Sequence, residues 1–348
     1  MIKKHISKPV KMGNVTFGDG KIYIQSMLSV PSTDIKGNVE QAIKLQKAGC
    51  EIIRVAIPDM AAIPVICAIK EKVNVPLVAD IHFDYKLALA AVEAGIDKVR
   101  INPGNIGSID RIKQVADACK ARNIPIRIGV NSGSLEKSLL QKYGSPTPEA
   151  LVESALNHAK LLEDCDFDDI VISIKSSDVI RTIEAYRLLA QSCNYPLHLG
   201  VTEAGTEHMG LIKSAIGIGS LLVDGIGDTI RVSLTADPVA EVYAAKDILK
   251  SIGIQKGIKI VSCPTCGRTR INLIKLAHEV EQATKNIDKD ITVAVMGCVV
   301  NGIGEGKEAD IGVAGGDGCG VIFKNGEIIR KVSEEKIVSE LLCEIEKF

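Results

Sequence analysis

From residue 21 onward, short apolar runs alternate with longer stretches whose apolar residues recur at helical spacing. The apolar runs are KIYIQSM (21–27), CEIIRVAI (50–57), VPLVADIH (75–82), KVRINP (98–103), IPIRIGV (124–130), DIVISIK (169–175), PLHLGVT (196–202) and DTIRVSL (228–234). Between them lie amphipathic segments such as NVEQAIKLQKAG, SIDRIKQVADACKARN and PEALVESALNHAKLLED. Several end in Gly or Asn, which suit helix C-termini. Eight strand-then-helix units in about 250 residues predict a (β/α)8 barrel of the TIM type. A doubly wound open sheet is the alternative, but no G-x-G-x-x-G follows the first strand.

The pattern changes near residue 256. KIVSC, a helix over 268–285, TVAVMG, ADIGVAGG, GVIFKNGEIIRKV and the terminal EEKIVSELLCEIEKF mix strands and helices. They predict a smaller α+β domain, with a hairpin at the Asn-Gly of 325–326. The expected division is a barrel over 1–255 and a second domain over 256–348.

Charged residues interrupt the apolar strands in a regular way. Arg54, Arg100, Arg127 and Arg231 each sit inside one, and Lys175 ends another. A single such Arg reads equally well as a structural bridge to a local carboxylate. Four in four strands point to a ring near the C-terminal face of the barrel, where barrel active sites lie. Guanidinium groups gathered there repel one another unless an anion joins them, and their forks match phosphate. Asp80, His82, Asn102, Asn131, Ser132, His198, Thr202, Glu203 and Ser233 fall at the same strand ends. Each also suits a helix cap or a satisfied core group. Lys213, Ser214, Gly217 and Gly219 add a weaker phosphate-loop signal after the seventh strand; Gly there equally serves close helix packing.

The second domain carries thiols. Cys263 and Cys266 form a C-x-x-C at the end of one strand. Cys298 closes another, and Glu305 follows in a glycine-rich segment read as a loop. Three thiols and a carboxylate brought together suit a soft metal centre, zinc or iron–sulfur. A C-x-x-C alone also reads as a redox dithiol or as chance spacing. Cys319 and His278 are further donors, His278 reading as an ordinary helix residue. Cys50, Cys67, Cys119, Cys165, Cys193 and Cys343 stand singly and read as small buried hydrophobes.

Composition narrows the partners. The 348 residues are 46% hydrophobic and only 3% aromatic, with no Trp and a formal net charge of −1. That argues against nucleic acid and against anionic membranes. The basic start, MIKKHISKPVKMG, lacks the apolar core of a signal peptide, and no apolar run is long enough to span a membrane. Ten Cys with no export signal fit a reducing cytoplasm.

SCPTCGR followed by MGCVVNG-x-GE resembles the 4-hydroxy-3-methylbut-2-enyl diphosphate synthase family of the non-mevalonate isoprenoid pathway. VADIHFDY, INPGNIG, IRIGVNSGSLE, PLHLGVTEAG and GIGDTIRVSL extend the resemblance over nearly the whole chain. It implies a TIM barrel followed by a sulfite-reductase-like iron–sulfur domain. It implies a 4Fe–4S cluster on Cys263, Cys266, Cys298 and Glu305. It implies reductive opening of a cyclic diphosphate, with electrons from flavodoxin or ferredoxin, in a head-to-tail homodimer. On that reading Arg54, Arg100, Arg127, Lys175 and Arg231 hold the diphosphate, aided by Asn131, Thr202 and Ser233. Glu203 is the candidate proton donor, His198 the second choice, and Asn301 orients the group at the cluster. The chain departs from the family pattern at Leu28, Ser176 and Ile303, where Thr, Ala and Pro are common. Two rival readings are a dihydropteroate-synthase-like barrel transferase with structural zinc, and a non-catalytic iron–sulfur carrier or sensor.

Overall fold

The computed structural model describes residues 5–285, residue 287 and residues 289–348, with the backbone alone at Val300, Asn301 and Glu305. The chain divides into two compact units between Leu249 and Lys250. No described helix is long and apolar enough to cross a membrane.

The first unit is the expected barrel. Its parallel strands are Tyr23–Met27, Ile52–Ala56, Leu77–Asp80, Lys98–Ile101, Ile126–Asn131, Ile170–Lys175, His198–Leu199 and Thr229–Ile230. Each of the first six pairs with its neighbour in sequence, and the eighth pairs with both the first and the seventh. The ring closes between the sixth and seventh strands through one bridge, Ile172 to Leu197. Helices cover the outside, so both faces of most strands are buried. The helix Ile35–Ala48 shows how sequence sets the boundaries. The Asp34 side chain accepts from the Gly37 amide at its start, and Gly49 ends it at φ +88°.

Several expectations need correction. The seventh and eighth strands are far shorter than the apolar runs that announced them. Beyond Leu199 and Ile230 the chain keeps isolated bonds, Arg231 N to Leu199 O at 2.9 Å and Thr202 N to Ser176 O at 3.0 Å. A hairpin, Val10–Met12 with Val15–Phe17, precedes the barrel and escaped the sequence reading. Its Val10, Met12, Val15 and Phe17 pack on Tyr23, Ile52, Val78 and Val171, closing the N-terminal end of the barrel. Gly217 and Gly219 lie within the helix Glu207–Val223, not in a phosphate loop. A Cβ on Gly217 would stand 2.6 Å from Val201, so that glycine serves packing. Of the single cysteines, Cys50, Cys119 and Cys165 are buried, whereas Cys67 and Cys343 are exposed on outer helix faces.

The second unit is a five-stranded mixed sheet: Lys259–Ser262, Thr292–Met296, Ile311–Gly316, Cys319–Lys324 and Glu327–Ser333, in sequence order. The first three are parallel and the last two antiparallel. The predicted Asn-Gly turn joins the last pair, with Asn325 at φ 50° and Gly326 at φ 82°. Helices Leu273–Thr284 and Ile337–Ile345 pack a common core with the sheet. The first begins later than the expected 268, because the preceding segment folds over the strand ends: Arg270 N donates to Gly297 O at 2.9 Å. The segment read as a loop before Glu305 is a short helix, Val299–Glu305. Its Gly302 lets it lie close on the sheet, since a Cβ there would meet Met296 at 2.7 Å. Ile303 sits inside this helix and packs on the cluster of Ala294, Met296, Ala314 and Phe323.

Candidate active site

The strand arginines do gather inside the C-terminal half of the barrel, and one carboxylate organises two of them. Asp80 Oδ2 stands 2.6 Å from Arg54 Nη2, and Oδ1 stands 3.2 Å from Arg100 Nη1. His82 Nε2 lies 3.3 Å from the same carboxylate. Burial alone would raise the Asp80 pKa. Arg54, the His82 hydrogen bond and Arg100 outweigh it and hold the group well below the usual carboxylate range. Arg100 also donates to Gly129 O at 2.9 Å. A side chain at Gly129 would come within 2.4 Å of Arg100 Nε, so glycine is required there.

Arg127 is fully buried and donates to Gln25 Oε1 at 3.1 Å. Arg231 donates to Glu241 from Nε at 3.3 Å and Nη2 at 3.2 Å. Glu241 also accepts from Ser26 Oγ at 2.9 Å and from the Leu234 amide at 3.1 Å. These pairs leave donors over. Arg54 Nε, Arg100 Nε, and Arg127 Nε and Nη2 are buried without a hydrogen-bond acceptor among the described residues. Buried donors of this kind are costly unless something pairs with them.

A pocket of about 40 Å3 opens among these groups, lined by Arg54, Arg127, Lys175, Thr202, Arg231 and Ser233 together with His198 and Ser173. Most of the predicted anion-binding set therefore meets in one place. Arg100 is not on that lining and stands behind Asp80. Asn131 is also off it, its Oδ1 accepting from the Gly133 amide at 3.0 Å. Burial, then Arg54 and Arg100, push the Lys175 ammonium down to about 6. Burial and the neighbouring Arg127 and Lys98 hold His198 well below its ordinary value, so its imidazole is neutral. Its Nδ1 meets Thr229 Oγ1. Glu203 follows Thr202 with an exposed side chain and φ of 55°, a left-handed backbone unusual for a non-glycine residue. A larger cleft of about 700 Å3, lined by Lys11, Glu93, Asp97, Arg122 and Asp169 among others, holds none of the predicted site residues.

Sequence reasoning missed the partners. Gln25 lies two positions before Met27 on the first strand and Ser173 two before Lys175, so period-two alternation placed both on the inward face. Glu241 had no such signal, because it lies on the helix Pro238–Ser251 and reads as an ordinary helix charge.

In the second unit, two of the thiols stand at the ends of neighbouring parallel strands. Cys263 directly follows Ser262, and Cys298 stands just past Met296 on the neighbouring parallel strand. The Gly297 amide, beside Cys298, donates to Cys263 Sγ at 3.2 Å. Cys266 is exposed, and hydrogen bonds from the Arg268 backbone and then its side chain lower its pKa. Cys319 opens the fourth strand opposite Gly316. His278 is exposed on its helix, 3.7 Å from Glu281. No three His, Cys, Asp or Glu side chains among the described residues form a ready metal-binding group. The side chains of Glu305 and Asn301, both named from the sequence, lie outside the described residues. Cys263, Cys266 and Cys298 fit a soft centre in donor chemistry, with Cys263 and Cys298 at the ends of neighbouring strands and an amide already aimed at one sulfur.

The chain thus falls in the class of two-unit proteins that join a (β/α)8 barrel with a cation-lined pocket to a small thiol-bearing α+β unit. Two family models match the chain: the GcpE TIM-barrel domain over residues 7–246 and the GcpE protein C-terminal domain over residues 259–347. A curated relative from Clostridium perfringens (strain 13 / Type A) is 60% identical over 345 residues, covering 98% of each chain. One from Caldanaerobacter subterraneus subsp. tengcongensis is 59% identical over 350 residues, covering 100% of this chain and 99% of its own. Both are named 4-hydroxy-3-methylbut-2-en-1-yl diphosphate synthase (flavodoxin). The chain belongs to this GcpE family of synthases and is an oxidoreductase. Among solved structures, 3-dehydroquinate dehydratase from Geobacillus kaustophilus HTA426 superposes with a TM-score of 0.54 at 14% identity, covering 72% of this chain and 100% of its own. The 7,8-dihydropteroate synthase from Vibrio fischeri ES114 gives 0.51 at 16%, covering 71% and 98%. These likenesses concern the barrel fold alone.

Proposed function

We propose that the protein reduces 2-C-methyl-D-erythritol 2,4-cyclodiphosphate, opening its ring and removing one hydroxyl, to give (E)-4-hydroxy-3-methylbut-2-enyl diphosphate. Two electrons enter, and the hydroxyl leaves as water with a proton. The observation that carries the reading is the acceptor-less guanidinium donors of Arg54 and Arg127, which line one pocket with Lys175 and Arg231. A diphosphate supplies the oxygens those donors lack. The names of full-length relatives support the product and flavodoxin as donor. Ferredoxin as the alternative donor, a cytoplasmic location, a head-to-tail homodimer and a domain boundary near residue 256 belong to the same reading.

Arg54, Arg127, Lys175 and Arg231 hold the diphosphate, and Thr202 and Ser233 add hydroxyl donors beside it. Arg100 acts through Asp80, fixing the Arg54 guanidinium, and Asn131 contributes from the loop after the fifth strand. Glu203 delivers the proton to the leaving oxygen; its strained backbone suits a functional post. His198 is a poor acid, because its surroundings keep it neutral. Cys263, Cys266 and Cys298 would hold a 4Fe–4S cluster together with Glu305, with Asn301 nearby in sequence. Bound there, the cluster supplies electrons one at a time. A carboxylate as the fourth ligand is harder and more readily exchanged than a thiolate.

The test is anaerobic purification followed by iron, sulfide and zinc analysis, an absorption spectrum, and turnover of the cyclodiphosphate with reduced flavodoxin. About four irons per chain and a broad thiolate-to-iron band support the reading, with Cys298→Ser losing both. A colourless protein holding one zinc after anaerobic handling would sink it.

A further inference from the structure

Outside the pocket, one half-buried polar cluster is built into the catalytic face. His158 lies on the inner side of the helix Pro148–Glu163 and is only 3% exposed. Its Nε2 stands 2.5 Å from Glu136 Oε1. Ser154, one turn earlier on the same helix, donates to the two Glu136 oxygens at 2.9 and 2.8 Å. Glu136 ends the loop that leaves the fifth strand at Asn131 and precedes the helix Lys137–Tyr143.

The same imidazole supports a second loop. Gly104 belongs to the short helix Pro103–Ile106 that follows the fourth strand. A Cβ on Gly104 would lie 2.8 Å from His158 Nε2, so the backbone of that loop rests directly on the ring. Asn102 precedes this helix, buried at 7% exposure, with its Oδ1 lacking a partner among the described residues. One histidine thus touches two consecutive loops of the barrel face where active sites form. Each loop begins at an asparagine at a strand end. Neither His158 nor Glu136 lines the pocket.

This half-buried, charge-assisted hydrogen bond holds the His158 ring to the Glu136 carboxylate, and Ser154 donates to the same carboxylate. We propose that Glu136, His158 and Ser154 form a positioning clasp that sets the loops after the fourth and fifth strands, and with them Asn102 and Asn131, for binding the cyclic diphosphate. The assignment rests on the reading of the barrel mouth as the diphosphate site. None of the three is a catalytic residue.

The measurement is equilibrium dialysis of labelled cyclodiphosphate against the cluster-loaded, unreduced enzyme, followed by steady-state kinetics. His158→Leu should weaken binding and raise KM by about tenfold to a hundredfold, the size of effect that small misplacements produce, while kcat stays within about threefold. His158→Gln keeps a donor toward Glu136 and should recover most of the affinity. Gly104→Ala keeps all three clasp side chains but presses a methyl group onto His158 Nε2, displacing the loop from the ring or the ring from Glu136, so it should weaken binding as well. It also decides the matter if His158→Leu does not fold. Wild-type affinity in Gly104→Ala and in a folded His158→Leu would overturn the clasp. Wild-type enzyme that does not retain the cyclodiphosphate would overturn the functional reading, and this assignment with it.

Discussion

The hydroxyl of Tyr186 accepts the Ile174 amide at 2.9 Å and also meets the carbonyl oxygen of His198. Tyr186 is fully buried on the helix Val179–Ser192. Its hydroxyl therefore ties the sixth strand to the seventh, where the ring of strands is closed by a single bridge. Lys175 is the next residue on one side, and His198 itself lies on the other. Tyr186→Phe leaves a buried amide and a buried carbonyl without this partner. The expected cost is about 1–3 kcal/mol, seen as a lower urea midpoint with an unchanged slope. An unchanged midpoint would mean that the strands close without the hydroxyl.

Asp80 bears on both stability and binding. Asp80→Asn leaves Arg54 and Arg100 buried beside each other without their shared counter-charge. Breaking a buried pair in this way costs about 3–5 kcal/mol. The variant should melt well below the wild type. Added cyclodiphosphate should then raise its melting temperature by more than it raises that of the wild type, because the ligand restores negative charge. Equal ligand-induced shifts in the two proteins would count against an anion in contact with Arg54.

Lys175 predicts a pH dependence whose sign follows from its surroundings. Without ligand its ammonium is pushed down from 10.5 to about 6, so near pH 7.5 the amine is mostly neutral. A bound diphosphate draws the value back up. Binding then takes up nearly one proton, and affinity falls by about tenfold per pH unit above about 7, until the value in the complex is reached. The same depression means that the unfolded chain holds more protons between these limits. The cost of burying this ammonium therefore fades, and the unliganded fold gains stability, as pH rises from about 6 toward 10.5. Calorimetry in buffers of different ionisation enthalpy measures the proton directly. Lys175→Met should abolish the uptake, and uptake that persisted in it would assign the proton to another group.

The regular alternation of eight apolar runs with helical-period segments made the barrel legible, because strand-then-helix units in that number close into a ring. That regularity put Arg54, Arg100, Arg127 and Arg231 into one interior without knowledge of the fold. It could not reveal what they pair with. Glu241 reaches Arg231 from a helix, and Asp80 serves two arginines on different strands. Such pairings depend on three-dimensional neighbours that no local spacing encodes. The hairpin at Val10–Phe17 was missed because its strands are three residues each, too short for a period to stand out. The VVNGIGE segment was misread for another reason. Its glycines signal a loop by propensity, yet Gly302 is there to bring a helix down onto Met296. The strand-end thiols were legible, since strand ends and Cys positions coincide in sequence.

Glu203 makes the sharpest claim about chemistry. Its side chain is exposed beside the mouth, and its backbone holds φ 55°, a conformation that costs a non-glycine residue roughly 1 kcal/mol or more. Replacement by Gln preserves size and hydrogen-bonding reach but removes the transferable proton. If the carboxyl protonates the leaving oxygen, Glu203→Gln should lower kcat by about 10²- to 10⁴-fold while the cyclodiphosphate still binds within about threefold of wild type. Glu203→Asp should fall between the two, since it keeps the acid but shortens its reach. His198→Gln, by contrast, should leave the pH profile of kcat in place, because the imidazole is already neutral. Normal turnover in the Glu203→Gln variant would remove the carboxyl from the proton path and leave the acid to be sought among water and the substrate's own phosphate.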